Sequence, residues 1–175
     1  MGRARAAAGS FVFLVAVPGV VAGLGPWLLT GWHAREPPSW LPLRVAGWAL
    51  LAAGAAVLLH AFARFVVEGV GTPAPVAPTE RLVVGGLYRY VRNPMYLAVA
   101  ATIVGQALVL GRPVLLVYAA AFAAAVAAFV HRYEEPTLRR RYGGQYEAYC
   151  RAVPAWWPYR LRRWPRWRPG STTRS

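Results

Sequence analysis

The sequence predicts an all-α integral membrane protein with about four transmembrane helices and a cytoplasmic C-terminal amphipathic helix. Three observations predict this class: 57% of the 175 residues are hydrophobic, long apolar runs carry no charge, and most arginines lie outside those runs. Such a composition is too apolar for an ordinary soluble domain of this size. The formal charge of +14 comes from arginine without lysine, and the apolar runs favour a membrane over nucleic acid as the partner.

Four apolar stretches are candidates for helices that cross a bilayer, which requires about 20 residues. Only Gly111 and Arg112 separate the last two stretches, so we expect them to form a tight helical hairpin. The four predicted spans cover residues 10–30, 44–66, 94–110 and 113–131.

The placement of arginine predicts the orientation. With the N-terminus inside, 17 of the 20 arginines face the cytoplasm, and the outer loops hold only Arg35, Arg44 and Arg112. This asymmetry follows the positive-inside rule and predicts a multi-pass protein with both termini in the cytoplasm. Its basic face would contact the anionic headgroups of membrane lipids.

The chain divides into three regions by composition. Residues 1–68 are expected to form a two-helix membrane anchor. Residues 69–160 carry most of the polar chemistry and begin with a Pro/Gly-rich connector, 69–80, that should not be helical. Residues 161–175 form a basic tail, which we expect to be disordered or bound to the membrane surface. Cys150 is the single cysteine, so no internal disulfide is possible.

The stretch 88-YRYVRNPMY-96 predicts the start of the third span. Asn93 suits the N-cap position and Pro94 suits the first helical position. The first amide groups of that helix lack backbone partners, and the helix dipole makes this end partly positive. Arg89 and Arg92 add full charges, so the region suits a carboxylate or phosphate. The alternative is a capped helix whose arginines reach lipid phosphates.

Glu134 and Glu135 form a second polar feature at the end of the fourth span. A hairpin would bring them to the same membrane face as Arg92. Positive charge and carboxylate would then lie close together, which suits a zwitterionic or cationic small molecule. The alternative is a salt bridge from one glutamate to Arg132, to Arg139 or to the cluster that contains Arg92.

Other side chains of this region allow structural or functional interpretations. His131 lies four residues before Glu135, on one helical face, where a single histidine is more often structural. Tyr142, Tyr146 and Tyr149 are spaced as a single helical stripe. The stripe would either dock the C-terminal helix or line an aromatic pocket for a cation such as a sulfonium. The sequence contains no metal-site pattern, P-loop or dinucleotide-binding glycine motif.

The order of these motifs resembles that of a known superfamily. The segment 85-GGLYRYVRNPMY-96, a hydrophobic hairpin, 134-EE-135 and 142-YGGQYEAYCRAVPAWWP-158 together resemble the isoprenylcysteine carboxyl methyltransferase and phospholipid methyltransferase superfamily. Its members are small integral membrane enzymes that use S-adenosyl-L-methionine. The resemblance covers about residues 80–158. It implies that region 69–160 is catalytic and transfers methyl to a lipophilic acceptor, either an isoprenoid-linked carboxylate or a lipid amine.

The resemblance also implies roles for individual residues. The superfamily's Arg-His-Pro element corresponds to Arg92, Asn93 and Pro94, so that asparagine stands where the isoprenylcysteine enzymes usually have histidine. Catalytic roles are implied for Arg92, Glu134 and Glu135. Cofactor contacts are implied for Tyr88, Arg92, Asn93, Pro94, Met95, Tyr96, Glu134, Glu135 and Tyr146. Substrate contacts are expected for His131 and Arg132.

Two other functions are compatible with the same motifs. Membrane reductases of the sterol-reductase type resemble the C-terminal half and bind NADPH, but they usually have more spans and a longer chain. A non-catalytic membrane protein could also retain the motif. The expected partners are a lipophilic or lipid substrate and membrane lipids, without nucleic acid, and the sequence makes no prediction about oligomeric state.

Overall fold

The computed structural model of the chain describes residues 18–35, 41–68 and 82–157. All regular elements in these ranges are helical, whereas the predicted connector and basic tail lie outside the described residues. The elements are a π-helical turn Val20–Leu24, α1 Gly25–Thr30, α2 Leu41–Glu68, a 3-10 turn Gly86–Arg89, α3 Pro94–Leu110, α4 Val114–Phe129, a second π-helical turn Val130–Glu134, α5 Glu135–Tyr142 and α6 Gly144–Ala152.

Within the described residues, two helical stretches are long and apolar enough to cross a membrane, Leu41–Ala61 and Val114–Tyr142. They correspond to the second and fourth predicted spans. The apolar helices Val20–Thr30 and Pro94–Leu110 are shorter. At 1.5 Å per residue, α3 is about 25 Å long, against a hydrocarbon core of about 30 Å. The described residues thus indicate a membrane-associated helical protein, in which the second and fourth predicted spans meet the length criterion, whereas residues 10–17 of the first predicted span lie outside the described residues.

Helices α2 and α3 approach each other closely because glycines lie where they cross. A Cβ atom on Gly105 would lie 2.8 Å from the backbone oxygen of Gly47 and 3.0 Å from Cγ of Leu51. A Cβ atom on Gly47 would lie equally close to the backbone oxygen of Gly105. Two turns further along α2, Gly54 faces Thr102 in the same way. In a lipid bilayer the hydrophobic effect does not drive helices together, and small residues at the contact allow the two backbones to pack closely instead.

Helices α3 and α4 form the tight hairpin that the sequence predicts. Gly111 follows α3 in the left-handed conformation, with a φ of 63°, and α4 begins at Val114. Ile103 of α3 and Leu115 of α4 are fully buried in the core between the two helices. The hairpin therefore brings the start of α3 and the end of α4 to the same end of the molecule.

Polar contacts attach the N-terminal helical segment to the opposite end of the hairpin. Gln106 of α3 donates from Nε2 to the backbone oxygen of Ala22 at 2.6 Å and accepts a bond from Nε1 of Trp32 at 3.2 Å. The Tyr118 hydroxyl donates to the backbone oxygen of Val21 at 2.9 Å. Both backbone acceptors belong to the first π-helical turn, so side chains of α3 and α4 hold that turn in place.

The C-terminal region forms two short helices, so the predicted single helical stripe of tyrosines is wrong. Gly143 has a φ of 51° and a ψ of −130°, a conformation that glycine adopts far more readily than other residues. It ends α5 at Tyr142 and separates it from α6. Tyr146 and Tyr149 of α6 are buried, and Tyr142 packs beside them from the other helix. The tyrosines therefore dock α6 without forming one continuous face.

The close contact between α2 and α3 predicts a position-specific effect on stability. We expect Gly105→Ala to lower the free energy of unfolding by about 1–3 kcal/mol, because the added methyl overlaps backbone that cannot move alone. The matched control is Gly144→Ala, whose Cβ meets no atom within 4 Å and which should not destabilise the protein. Thermal unfolding of the detergent-solubilised variants measures the difference. Equal stability of the two variants would contradict the packing described.

Candidate active site

Arg92 is the centre of a polar cluster at the shared end of the hairpin. Its Nη1 donates to Oε1 of Glu135 at 2.9 Å, to the hydroxyl of Tyr146 at 3.3 Å and to Sγ of Cys150 at 2.8 Å. The side chains of Arg92 and Glu135 are only 15% and 17% exposed. Burial alone lowers the pKa of Arg92, but Cys150, Tyr146 and Glu135 together raise it above its ordinary value. The guanidinium therefore remains charged in a site with little water.

The two adjacent glutamates have different partners. Glu135 binds Arg92, whereas Oε2 of Glu134 accepts a hydrogen bond from the Tyr96 hydroxyl at 3.1 Å. Among the described residues, no cation lies within 4.0 Å of the Glu134 carboxylate. Successive helical residues point about 100° apart, which separates the two side chains. The structure thus distinguishes an ion-paired glutamate from one bound to a hydroxyl.

A π-helical turn precedes Glu135 and sets the direction of both carboxylates. The amide of Glu135 donates to the backbone oxygen of Val130, five residues earlier. The next residue, Pro136, has no amide hydrogen and its ring would clash with the carbonyl of Arg132 in a regular helix. The wider turn accommodates this proline. Such turns occur often at functional sites.

Helix α3 begins at Pro94, as the sequence predicts, but Asn93 does not cap it with its side chain. The side chain amide of Asn93 instead donates to the backbone oxygen of Ala155 at 3.2 Å. The predicted side-chain cap is therefore wrong, because a tertiary acceptor competes for that side chain. The backbone oxygen of Asn93 still accepts from Leu97 at 3.3 Å. The first amides of α3 receive no side-chain cap, which leaves this helix end suited to an anionic group.

The C-terminal segment, residues 153–157, lies across the start of α3. The amide of Arg92 donates to the backbone oxygen of Pro154 at 2.9 Å, next to the bond from Asn93. On α6, which precedes this segment, the buried Tyr149 hydroxyl donates to the backbone oxygen of Tyr88 at 2.6 Å. Burial raises the pKa of both tyrosines, so Tyr149 remains a neutral donor. These contacts hold the C-terminal helix and segment against the loop that carries Arg92.

An apolar groove lies between α3 and α4 beside the polar cluster. Its volume is about 300 Å³. Its inner end lies at Tyr96 and Trp156, whose ring centroids are 6.4 Å apart. Ala123 and Ala127 are exposed on its outer side. The groove therefore opens onto the apolar surface of the hairpin, which lipid would cover in a membrane. The full lining consists of Tyr96, Leu97, Ala100, Phe122, Ala123, Val126, Ala127 and Trp156.

The structure brings together most, though not all, of the predicted site residues. The residues in or beside the cluster are Arg92, Asn93, Pro94, Tyr96, Glu134, Glu135 and Tyr146. Tyr88 and Met95 pack in an apolar cluster with Ala61, and Tyr88 also lies close enough to Glu134 and Tyr96 to interact with them electrostatically. His131 lies at the rim with its side chain 84% exposed and its Nδ1 3.9 Å from Oε2 of Glu135. Arg132 is also exposed.

Sequence reasoning missed three residues of the site. Cys150 lies four residues after Tyr146, and this spacing on one helical face could have identified it. Ala155 contributes only a backbone oxygen, and Trp156 reaches the groove through the fold of the C-terminal segment. The sequence carries no local signal for these last two residues, because their contacts are to residues about sixty positions earlier.

Together, the apolar helices and the cluster around Arg92 define a small helical membrane protein with a partly buried polar site beside an apolar groove. A sequence model of the phospholipid methyltransferase family matches residues 43–145, more than half of the chain, and the chain belongs to this family. No curated protein and no solved structure matches significantly. The match extends from α2 to the first residues of α6, so it includes part of the region 1–68 that the motifs did not cover. The family implies methyltransferase activity in general.

Proposed function

We propose that the protein is a membrane methyltransferase that depends on S-adenosyl-L-methionine and acts on a lipophilic acceptor. The observation that supports this most directly is the position of the partly buried Arg92–Glu135 pair beside Glu134 at the inner end of an apolar groove. A polar site for a zwitterionic donor and an apolar site for a lipid acceptor then adjoin. The arginine distribution supports a cytoplasmic location for this end of the helices, with both termini on that side.

The residues present fit the proposed cofactor. S-adenosyl-L-methionine combines a carboxylate, an ammonium group and a sulfonium. Nε of Arg92 is buried without a hydrogen-bond partner among the described residues, and a buried donor of this kind is costly unless an acceptor satisfies it. Arg92 and the uncapped start of α3 would hold the carboxylate, and Glu135 would contact the ammonium group or the ribose hydroxyls, which leaves Glu134 for the acceptor. The faces of Tyr96 and Tyr146 suit a cationic sulfur.

When bound, the cofactor would supply a methyl group carried on a positively charged sulfur. As an acceptor lone pair bonds to the methyl carbon, the carbon–sulfur bond would break and the sulfur would leave as a neutral thioether. The side chains of this chain would mainly bind, orient and exclude water. Glu135 and Tyr146 hold Arg92 in one position, and Tyr96 holds Glu134. The apolar helices around them keep the site drier than the membrane surface.

Glu134 favours a lipid amine over an isoprenoid-linked carboxylate as the acceptor. An amine must lose its proton before it can attack, and Glu134 has no cationic partner within 4.0 Å among the described residues, so it can accept that proton. A carboxylate acceptor needs no base and would be repelled by the adjacent carboxylate. The hydrocarbon part of either acceptor would lie in the groove lined by Tyr96, Ala123 and Trp156, with lateral entry from the bilayer.

The proposed cofactor site predicts that Arg92→Ala weakens binding of S-adenosyl-L-methionine and S-adenosylhomocysteine. A hydrogen bond to a charged group contributes about 1.5–3 kcal/mol, so its loss should raise the Kd at least about tenfold. Glu135→Ala should also raise the Kd, because Glu135 no longer holds the Arg92 side chain in position and the cofactor ammonium group loses a carboxylate. Isothermal titration calorimetry of detergent-purified protein measures both variants.

Arg140→Ala is the matched control, because Arg140 is exposed on α5 and its loss should leave the Kd unchanged. Circular dichroism checks that each variant remains helical. Wild-type affinity in a folded Arg92→Ala variant would contradict the proposed pocket. Binding of NADPH without either methionine derivative would favour a reductase.

The proposed role of Glu134 predicts that Glu134→Gln slows methyl transfer to a lipid amine. The amide keeps the shape and can still accept from Tyr96, but it cannot take up the proton of the amine, so we expect kcat to fall roughly 100-fold at pH 7. The deficit should shrink at pH 9, where more of the amine is already neutral. Radiolabelled methyl transfer to phosphatidylethanolamine in mixed micelles measures it.

Glu147→Gln serves as the control for this experiment, because Glu147 is exposed on α6. Equal rates of Glu134→Gln and wild type with the amine would exclude a general-base role for Glu134. Methyl transfer to an isoprenylated carboxylate but not to the amine would reverse the proposed acceptor preference.

The groove predicts different effects of one substitution at two neighbouring alanines of α4. Ala123→Phe should raise the KM for the lipid acceptor about tenfold, because the ring fills space that the hydrocarbon part would occupy, and should leave the cofactor Kd unchanged. Ala124→Phe is the control, because Ala124 is exposed but does not line the groove. Steady-state kinetics compares the two. Equal KM values for both variants would show that the acceptor does not use this groove.

A further inference from the structure

Asn93 is a buried polar residue to which the proposed reaction assigns no chemical step. It is 7% exposed and lies directly before the first residue of α3. An asparagine in this position usually accepts hydrogen bonds from the first helical amides. Asn93 gives up that contact and donates from Nδ2 to the backbone oxygen of Ala155 at 3.2 Å. Its amide therefore connects the start of α3 to the C-terminal segment.

The bond from Asn93 is the second of two adjacent connections. The backbone amide of Arg92 donates to the oxygen of Pro154, and the side chain of Asn93 donates to the oxygen of the next residue, Ala155. The first bond is made by the backbone and persists in any variant of Asn93. The second depends on the side chain and fixes the residue that directly precedes Trp156.

Trp156 carries the effect of this bond to the groove. Its ring lines the inner end of the groove and lies 6.4 Å from the ring of Tyr96. The hydroxyl of Tyr96 in turn holds Glu134. A shift of Ala155 would therefore move Trp156 relative to the Tyr96–Glu134 pair, where the proposed acceptor meets the polar site.

We propose that Asn93 is a positioning residue that sets the place of Trp156 and thereby the fit of the acceptor at the inner end of the groove. This inference rests on the proposed function, because it concerns the acceptor of that reaction. It assigns to Asn93 an effect on acceptor binding, transmitted through Ala155 and Trp156, and no direct contact with the reacting atoms.

The chemistry of this position distinguishes two substitutions. Asn93→Asp keeps the size of the side chain but presents only acceptor oxygens to the oxygen of Ala155, so the connection becomes repulsive. Asn93→His places an Nδ1–H group where the amide nitrogen lies and can still donate. Asn93→His should therefore preserve the position of Trp156, and Asn93→Asp should not.

The first readout is the kinetics of methyl transfer to phosphatidylethanolamine. Asn93→Asp should raise the acceptor KM about five- to tenfold, the effect of one lost hydrogen bond, with a smaller change in kcat and in the cofactor Kd. Asn93→His should retain the wild-type KM. Trp156→Ala should raise the KM, and adding Asn93→Asp to it should raise the KM little further, because both act through one side chain.

Gln106→Ala controls for a general loss of stability. Gln106 of α3 also makes tertiary hydrogen bonds, donating to the backbone oxygen of Ala22 and accepting from Nε1 of Trp32, but at the opposite end of the helix. This variant should unfold at a lower temperature and keep the wild-type acceptor KM. An unchanged KM in Asn93→Asp, or additive effects of Asn93→Asp and Trp156→Ala, would overturn the inference.

The second readout does not require turnover. A phosphatidylethanolamine with a diazirine in its acyl chain, incorporated in nanodiscs, should label the peptide that contains Trp156 in wild type and in Asn93→His, and less in Asn93→Asp. Equal labelling of wild type and Asn93→Asp would overturn the positioning role. Failure of wild type to bind S-adenosyl-L-methionine would instead overturn the proposed function, so the two failures are distinguishable.

Discussion

The contacts of the partly buried Arg92 guanidinium are the interaction on which the arrangement of the active site depends. A cation with only 15% of its side chain exposed requires partners, because a charge with little access to water is costly unless it is paired. Its partners come from two separate elements: Glu135 begins α5, and Tyr146 and Cys150 lie on α6. Satisfying this one charge therefore requires both C-terminal helices to fold back over the start of α3.

The apolar part of the molecule determines where this charge lies. Close packing of α2 on α3 at Gly47 and Gly105, and the turn at Gly111, fix the hairpin so that the start of α3 meets the end of α4. The polar cluster therefore occupies one end of a bundle whose outer faces are apolar. The groove between α3 and α4 connects that cluster with the apolar exterior, and this juxtaposition of a polar site and a lipid-accessible groove underlies the proposed chemistry.

The sequence predicted the helical class, the start of α3 at Pro94 and the turn after Leu110, because local residue types determine these features. It also predicted that Arg92 and the two glutamates would lie at the same end of the hairpin. It did not predict the separate partners of Glu134 and Glu135, which depend on the widened turn before Pro136. The direction of the Asn93 side chain and the position of Trp156 were likewise not predictable, since both depend on a backbone segment that is distant in sequence.

The most direct test of the account uses Cys150, the single cysteine, whose Sγ lies 2.8 Å from Nη1 of Arg92. We would measure the rate at which N-ethylmaleimide labels the unmodified protein with and without S-adenosylhomocysteine. If the cofactor binds around Arg92, saturating S-adenosylhomocysteine should slow labelling several-fold, and NADPH should have no effect. An unchanged labelling rate under conditions where calorimetry shows that S-adenosylhomocysteine is bound would contradict the account, because the cofactor would then bind elsewhere.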